Sequence, residues 1–153
     1  MYSIEEEKAL KKEFWGGFSA FCETLPRFKY RKKKWILYHT KIKGVEMKFD
    51  ATRDGAYVIF ELNHPNEDVR LEMLALMERC KNAFVDKYFP DAIWEILYIK
   101  PCGTPVSRIY KHKEGLDIHR REQWPEFYPF LSKEMNQLEK MFNEMKDVLE
   151  EIR

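Results

Sequence analysis

Cysteine and glycine are scarce in this chain, and each shortage removes a class of function. The three cysteines, Cys22, Cys80 and Cys102, are an odd number at unpatterned spacings. They argue against a disulfide framework and suit a reducing, cytoplasmic setting. Only six glycines are present, and none builds a glycine-rich phosphate loop. His39, His64, His112 and His119 show no ligand spacing and no cysteine pair offers a zinc knuckle, so no metal site is expected. A G-x-S-x-G nucleophile elbow is missing as well. No stretch approaches the ~18 apolar residues of a membrane span, and the acidic start MYSIEEEKAL lacks the apolar core of a signal peptide. The expectation is a cytoplasmic protein without a membrane partner. Excess charge is lacking too: 27 basic against 26 acidic residues give a net charge of +1, so global electrostatics nominate no partner.

Aromatic residues are abundant at 15% of the 153 positions, which favours a well-packed fold and a single domain over 1–153. Residues 34–63 read as a three-stranded antiparallel meander turning at Lys43-Gly44 and Asp54-Gly55. Folding about those turns sets Tyr38 against Phe49, Thr40 against Met47 and Ile36 against Ala51. The second turn sets Val58, Phe60 and Leu62 beside Ala51, Phe49 and Met47. These share one face, because side chains alternate along a strand. The other face collects Trp35, Leu37, His39, Lys41, Glu46, Lys48, Asp50, Thr52, Tyr57, Ile59, Glu61 and Asn63, a mixed set expected to be partly wet.

Helices are expected around this meander. Ser3 and Glu6 form a capping box, after which Leu10, Phe14, Phe18, Phe21 and Leu25 repeat at helical spacing up to Pro26. Gly16-Gly17 inside that helix implies close approach of another element. Asn66 is a fair N-cap for a second helix with Met73, Met77, Cys80, Phe84 and Tyr88 on its buried face, ending before Pro90. The segments IWEILYI and VSRIYK, joined by Pro-Cys-Gly-Thr-Pro, read as a second hairpin. Pro125 marks the start of a third helix. Along it Leu131, Met135, Leu138, Phe142, Met145, Leu149 and Ile152 keep a four-three spacing over three heptads. The fold class is therefore α+β, in the order αβββαββα with three long helices. Packing of the last helix within the chain, and hence a monomer, is the expectation; a homodimer through the heptads is the alternative.

The most unusual local composition is RFKYRKKK at residues 27–34. Arg27, Lys29, Arg31, Lys32, Lys33 and Lys34 alternate at first with Phe28 and Tyr30. Cations neutralise phosphates and rings stack on bases, so this run is the candidate nucleic-acid contact. Its plainer role is a solvated connector whose lysines protect a sheet edge.

Several pieces occur together in order: Glu13-Phe14-Trp15 with Phe18, then Trp35, Tyr38, Thr40 and Gly44, then Phe49-Asp50, Ser107-Arg108-Ile109-Tyr110-Lys111 and Trp124-Pro125. In these the chain resembles the bacterial family catalogued as domain of unknown function 4268, over nearly its whole length. The resemblance implies a nucleic-acid context, since members of that family occur behind restriction-type nuclease domains. It supplies no catalytic residue.

The order helix, three strands, helix, strand also resembles the core of PD-(D/E)xK nucleases. Asp50 and Glu61 are the only catalytic candidates on that analogy, placed by the expected register as diagonal neighbours roughly 7–8 Å apart. At that distance they could share a hydrated magnesium ion, and no other cofactor is implied. Against this, the motif's lysine is Asn63 here, and Lys48 falls opposite Glu61 as an ordinary ion pair. The expectation is a non-enzymatic binding module with nucleic acid as ligand. Its alternatives are a magnesium-dependent nuclease, or a decayed relative of one, and a protein-interaction unit.

Overall fold

Ser3 opens the first helix through two reciprocal bonds. Its hydroxyl accepts from the Glu6 amide at 3.1 Å, and the Glu6 carboxylate accepts from the Ser3 amide at 3.2 Å. Two donors that a helix start leaves over are thereby satisfied. Helix α1 spans Ile4–Glu23 and buries Leu10, Phe14, Phe18 and Cys22. The computed structural model of the chain describes residues 2–25 and 38–152. Arg27, Lys29, Arg31, Lys32, Lys33 and Lys34, together with the expected pairing of Ile36, lie outside the described residues.

Five strands follow: β1 (Tyr38–His39), β2 (Val45–Thr52), β3 (Gly55–Leu62), β4 (Ile93–Ile99) and β5 (Pro105–Lys113). They form one antiparallel sheet in the order β1-β2-β3-β5-β4. Four are strands of seven to nine residues, and β1 contributes two. The α+β class stands. Meander and hairpin merge because β5 returns alongside β3, setting Phe60 against Ile109 and Glu61 against Arg108.

Both hairpins pair two residues away from the expected register. Tyr38 faces Met47 rather than Phe49, and Val58 faces Phe49 rather than Ala51. The cause lies in the turns. Arg53 and Asp54 make the second one, and Gly55 opens β3 instead of closing the turn. At φ +130° Gly55 takes a backbone conformation that side chains disfavour, and a Cβ there would lie 2.1 Å from the Lys113 carbonyl oxygen. In the first hairpin, residues 40–44 form a longer loop. The Thr40 hydroxyl donates to the Val45 carbonyl at 2.6 Å and accepts from the Ile42 amide at 3.2 Å. A slip of two leaves the side chains of β2 and β3 on their expected faces.

Among the described residues there are four α-helices rather than three. Helix α2, Glu67–Arg79, starts as expected, with the Asn66 side chain accepting from the Val69 amide at 3.2 Å. It gives way at Cys80 to a π-helical turn, Lys81–Val85, and then to a three-residue helix α3, Asp86–Tyr88. The wider turn shifts the buried positions from Phe84 and Tyr88 to Val85 and Phe89, while the former pair is only half-buried. Helix α4, Trp124–Glu150, carries Pro125 in its first turn.

The core lies between one face of the sheet and the helices. Val45, Met47, Ala51, Val58, Phe60, Leu62 and Ile109 meet the α4 stripe Leu131, Met135, Leu138, Phe142, Met145 and Leu149, all buried. The heptad seam is thus used within one copy of the chain. Phe18 of α1 packs edge-on to Phe49 at 5.0 Å. Where α1 crosses α4, the Tyr128 hydroxyl donates to the Phe14 carbonyl at 2.9 Å. A Cβ on Gly17 would come within 2.5 Å of that hydroxyl, which is the close approach expected there; Gly16 faces open space.

Candidate nucleic-acid interface

The helices described above all reach the same side of the sheet. Arg70 of α2 bonds Ser107, Phe18 of α1 touches Phe49, and Lys111 meets Glu134 of α4 at 2.8 Å. The opposite side carries Glu46, Lys48, Asp50, Tyr57, Ile59 and Glu61 from β2 and β3. Alternation along β5 adds Arg108, Tyr110 and His112, and β4 adds Glu95 and Tyr98. No described helix lies on this face.

Its rings form a connected group. Tyr57 and His112 are cross-strand partners stacked in parallel, with centroids 4.1 Å apart and planes 4° apart. His112 is also fixed from outside the ring stack, since its Nε2 lies 2.7 Å from the Asp54 carbonyl. Tyr110 lies 6.1 Å from Tyr57. The Arg108 guanidinium sits 3.6 Å from the Tyr98 ring centre and 4.6 Å from that of Tyr110, and donates to Glu95 at 2.6 Å. Arginine over two aromatic faces is held by cation–π attraction as well as by its ion pair. Burial, then the charges of Asp54 and Asp50, push the Tyr57 hydroxyl up in pKa. Burial and the Glu95 carboxylate do the same for Tyr110.

Beside the rings lies a charge network. Lys48 Nζ is 2.9 Å from both Glu46 Oε2 and Glu61 Oε2, and Asn63 donates to Glu61 at 2.7 Å. Lys100 stands 3.7 Å from the same Glu61 oxygen. Glu61 is only 3% exposed, and its charge is met by these donors. Burial opposes the charge of Lys48, but the two carboxylates outweigh it and raise the pKa well above the ordinary lysine value. Burial likewise opposes Glu46, whose bond to Lys48 nonetheless holds its carboxyl below the usual range.

The catalytic candidates Asp50 and Glu61 do not come together. The two-residue shift sets Glu61 opposite Glu46 and Asp50 opposite Tyr57. Four residues of strand separate the two positions, roughly 13 Å. The exposed Asp50 accepts from the Ala51 amide at 2.9 Å, while Glu61 is engaged by Lys48. Lys48 meets Glu61 diagonally rather than head-on, and the expected pair forms all the same. Among the described residues no group of three or more His, Cys, Asp or Glu is placed to hold a metal ion. No disulfide joins any of the three cysteines among the described residues, and no described helix is long and apolar enough to cross a membrane.

Arg108, Tyr110 and His112 were missed as site residues, although their spacing of two along the β5 sequence was a signal that they share a face. Tyr98 and Glu95 could not have been assigned to it, because a bulge between them breaks the alternation.

The family model described as Domain of unknown function (DUF4268) matches residues 10–146. Neither the comparison with curated proteins nor that with solved structures returns a match.

Proposed function

The chain belongs to the DUF4268 family, and from this we propose that it is a non-enzymatic module that binds single-stranded nucleic acid on the open face of its sheet. The observation that carries the reading is the ring group Tyr57, His112, Tyr110 and Tyr98 with Arg108, set side by side on a surface no described helix covers. Bases stack on such rings without regard to sequence, each worth about 1–3 kcal/mol. A strand binder also needs free cations, and here the face itself is poor. Lys48, Lys100 and Arg108 all stand beside carboxylates. Phosphate contacts then fall to Arg27, Lys29, Arg31, Lys32, Lys33 and Lys34, which precede β1 in the sequence. The nucleic-acid context implied by the family resemblance points the same way.

Fluorescence anisotropy with labelled single-stranded DNA and RNA tests the proposal. Binding should weaken with salt, with a log–log slope near −0.7 per phosphate contact. Replacing Tyr57 and Tyr110 by Ala should weaken binding without changing that slope. Converting Arg31, Lys32 and Lys33 to Glu should abolish binding at low salt. No salt-sensitive binding by the wild type at micromolar concentration would refute the reading.

A further inference from the structure

Strand β4 closes one side of the sheet, and no described strand pairs with its outer edge. Four of its seven residues are large aliphatics held in solvent: Ile93 is 45% exposed, Ile96 62%, Leu97 58% and Ile99 54%. Edge strands that stay unpaired usually carry lysine, proline or very short lengths as protection. Ile93–Ile99 holds no lysine or proline, and its one charge, Glu95, is engaged by Arg108.

The middle of the strand is built for display. Ile96 and Leu97 together oppose the single residue Ser107, a β-bulge. The Ile96 carbonyl accepts from the Ser107 hydroxyl at 2.7 Å and from Arg70 Nη1 at 3.2 Å. Both donors are buried, Arg70 at 3% exposure and Ser107 at 0%. A buried arginine is costly unless its hydrogen bonds are made, and Arg70 Nη1 divides its bonds between the Ile96 carbonyl and the Ser107 hydroxyl opposite the bulge, which marks the bulge as a fixed feature.

We propose that β4 pairs antiparallel with β4 of a second copy of this chain, about a two-fold axis through the bulge. The bulge suits this partner, because the extra residue returns both halves of the strand to matching faces. Ile93, Glu95, Tyr98 and Lys100 point to the open face, and Trp94 and Ile99 to the helix side. Pairing about Ile96–Leu97 then sets Glu95 of each copy beside Tyr98 of the other, Trp94 beside Ile99, and Ile93 beside Lys100. No like charges meet in this arrangement, whereas centring the axis on Glu95 would oppose two carboxylates. At the centre Ile96 of each copy meets Leu97 of the other, an apolar pair that the two-fold axis makes twice.

Sedimentation equilibrium of the full chain tests the proposal. A dimer is expected at about 100 µM, the range in which a small interface associates. Leu97→Glu should raise the dissociation constant at least tenfold, with an unchanged far-ultraviolet circular dichroism spectrum, since Leu97 is exposed in the single chain. A register test uses Ile93→Cys with Lys100→Cys in a Cys102→Ser background, which should form a covalent dimer on mild oxidation. A wild-type monomer at that concentration overturns the proposal and leaves the edge to an extended segment of another protein. A dimer that survives Leu97→Glu and fails to cross-link overturns it equally.

Discussion

The two faces of the sheet are made from the same strands yet obey different rules. On the helix side, Met47, Val58, Phe60, Leu62 and Ile109 are 0–1% exposed and belong to one apolar core. On the open side, Tyr57, Tyr98, Arg108, Tyr110 and His112 are half-buried, and each ring or charge is held by a specific partner. Burial stabilises the first face in proportion to area, and geometry holds the second. One face is replaceable by anything of equal shape, the other only by equal chemistry. The face held by geometry is the one that no described helix covers.

Substitutions in order of expected size sharpen this contrast. Phe60→Ala on the covered face should cost roughly 3–5 kcal/mol in denaturant unfolding, the cavity cost of a core phenylalanine. A loss below about 1.5 kcal/mol would mean the face collapses around the gap and is less tightly packed than its burial indicates.

Lys48→Met on the open face comes next, at about 1.5–3 kcal/mol, because it leaves the buried Glu61 with weaker partners. Adding Glu61→Leu should restore much of that loss, as replacing a whole buried pair usually does. Equal losses in the single and double variants would show that the network acts by packing rather than by charge.

Tyr57→Ala should change stability by less than about 1 kcal/mol. If the open face is the binding surface, oligonucleotide affinity should fall by about 1–3 kcal/mol in the same protein. A large loss of stability with unchanged affinity would reverse the roles assigned to the two faces.

The smallest effect is in pH. Glu46 is held below its ordinary value of 4.5, so its contribution is present above that pH and is lost as pH falls through the lowered value. Lys48 is held above its ordinary value of 10.5, so its contribution is present below that pH and is lost as pH rises through the raised value. The stability difference between wild type and Lys48→Met should therefore be flat from pH 4.5 to 10.5 and shrink on either side. A difference still constant at pH 3, about a unit and a half below the ordinary carboxylate value, would remove Glu46 from the network.

Face assignment was legible in the sequence because the alternation at Met47, Phe49, Val58 and Phe60 has a period of two. Register was not, for the same reason: a slip of two preserves every alternation, and the local chemistry of Thr40 and Gly55 settles it. The error mattered only for Asp50 and Glu61, where it turned apparent neighbours into distant groups. Pairing of β3 with β5 joins residues about fifty apart in the chain, and no local pattern encodes it. Helical periodicity located Met73 and Met77 but carried on past Cys80, because a π-helical turn leaves no trace in an apolar repeat. The candidate site was half legible. His112 and Tyr110 follow from spacing, whereas the parallel stack on Tyr57 depends on the β3–β5 pairing.

The place of α4 in the core has a consequence for biosynthesis. Its stripe from Leu131 to Leu149 covers the sheet that residues 45–62 have already formed, and it packs against α1 at the start of the described chain. A ribosome adding about 5–20 residues per second completes the meander several seconds before that cover exists. During this interval the apolar face of β2 and β3 has α1 and then α2 to shelter it, but not the long stripe of α4. Nascent chains halted before residue 124 should then be protease-sensitive and prone to capture by chaperones, with resistance gained in one step once α4 has left the exit tunnel.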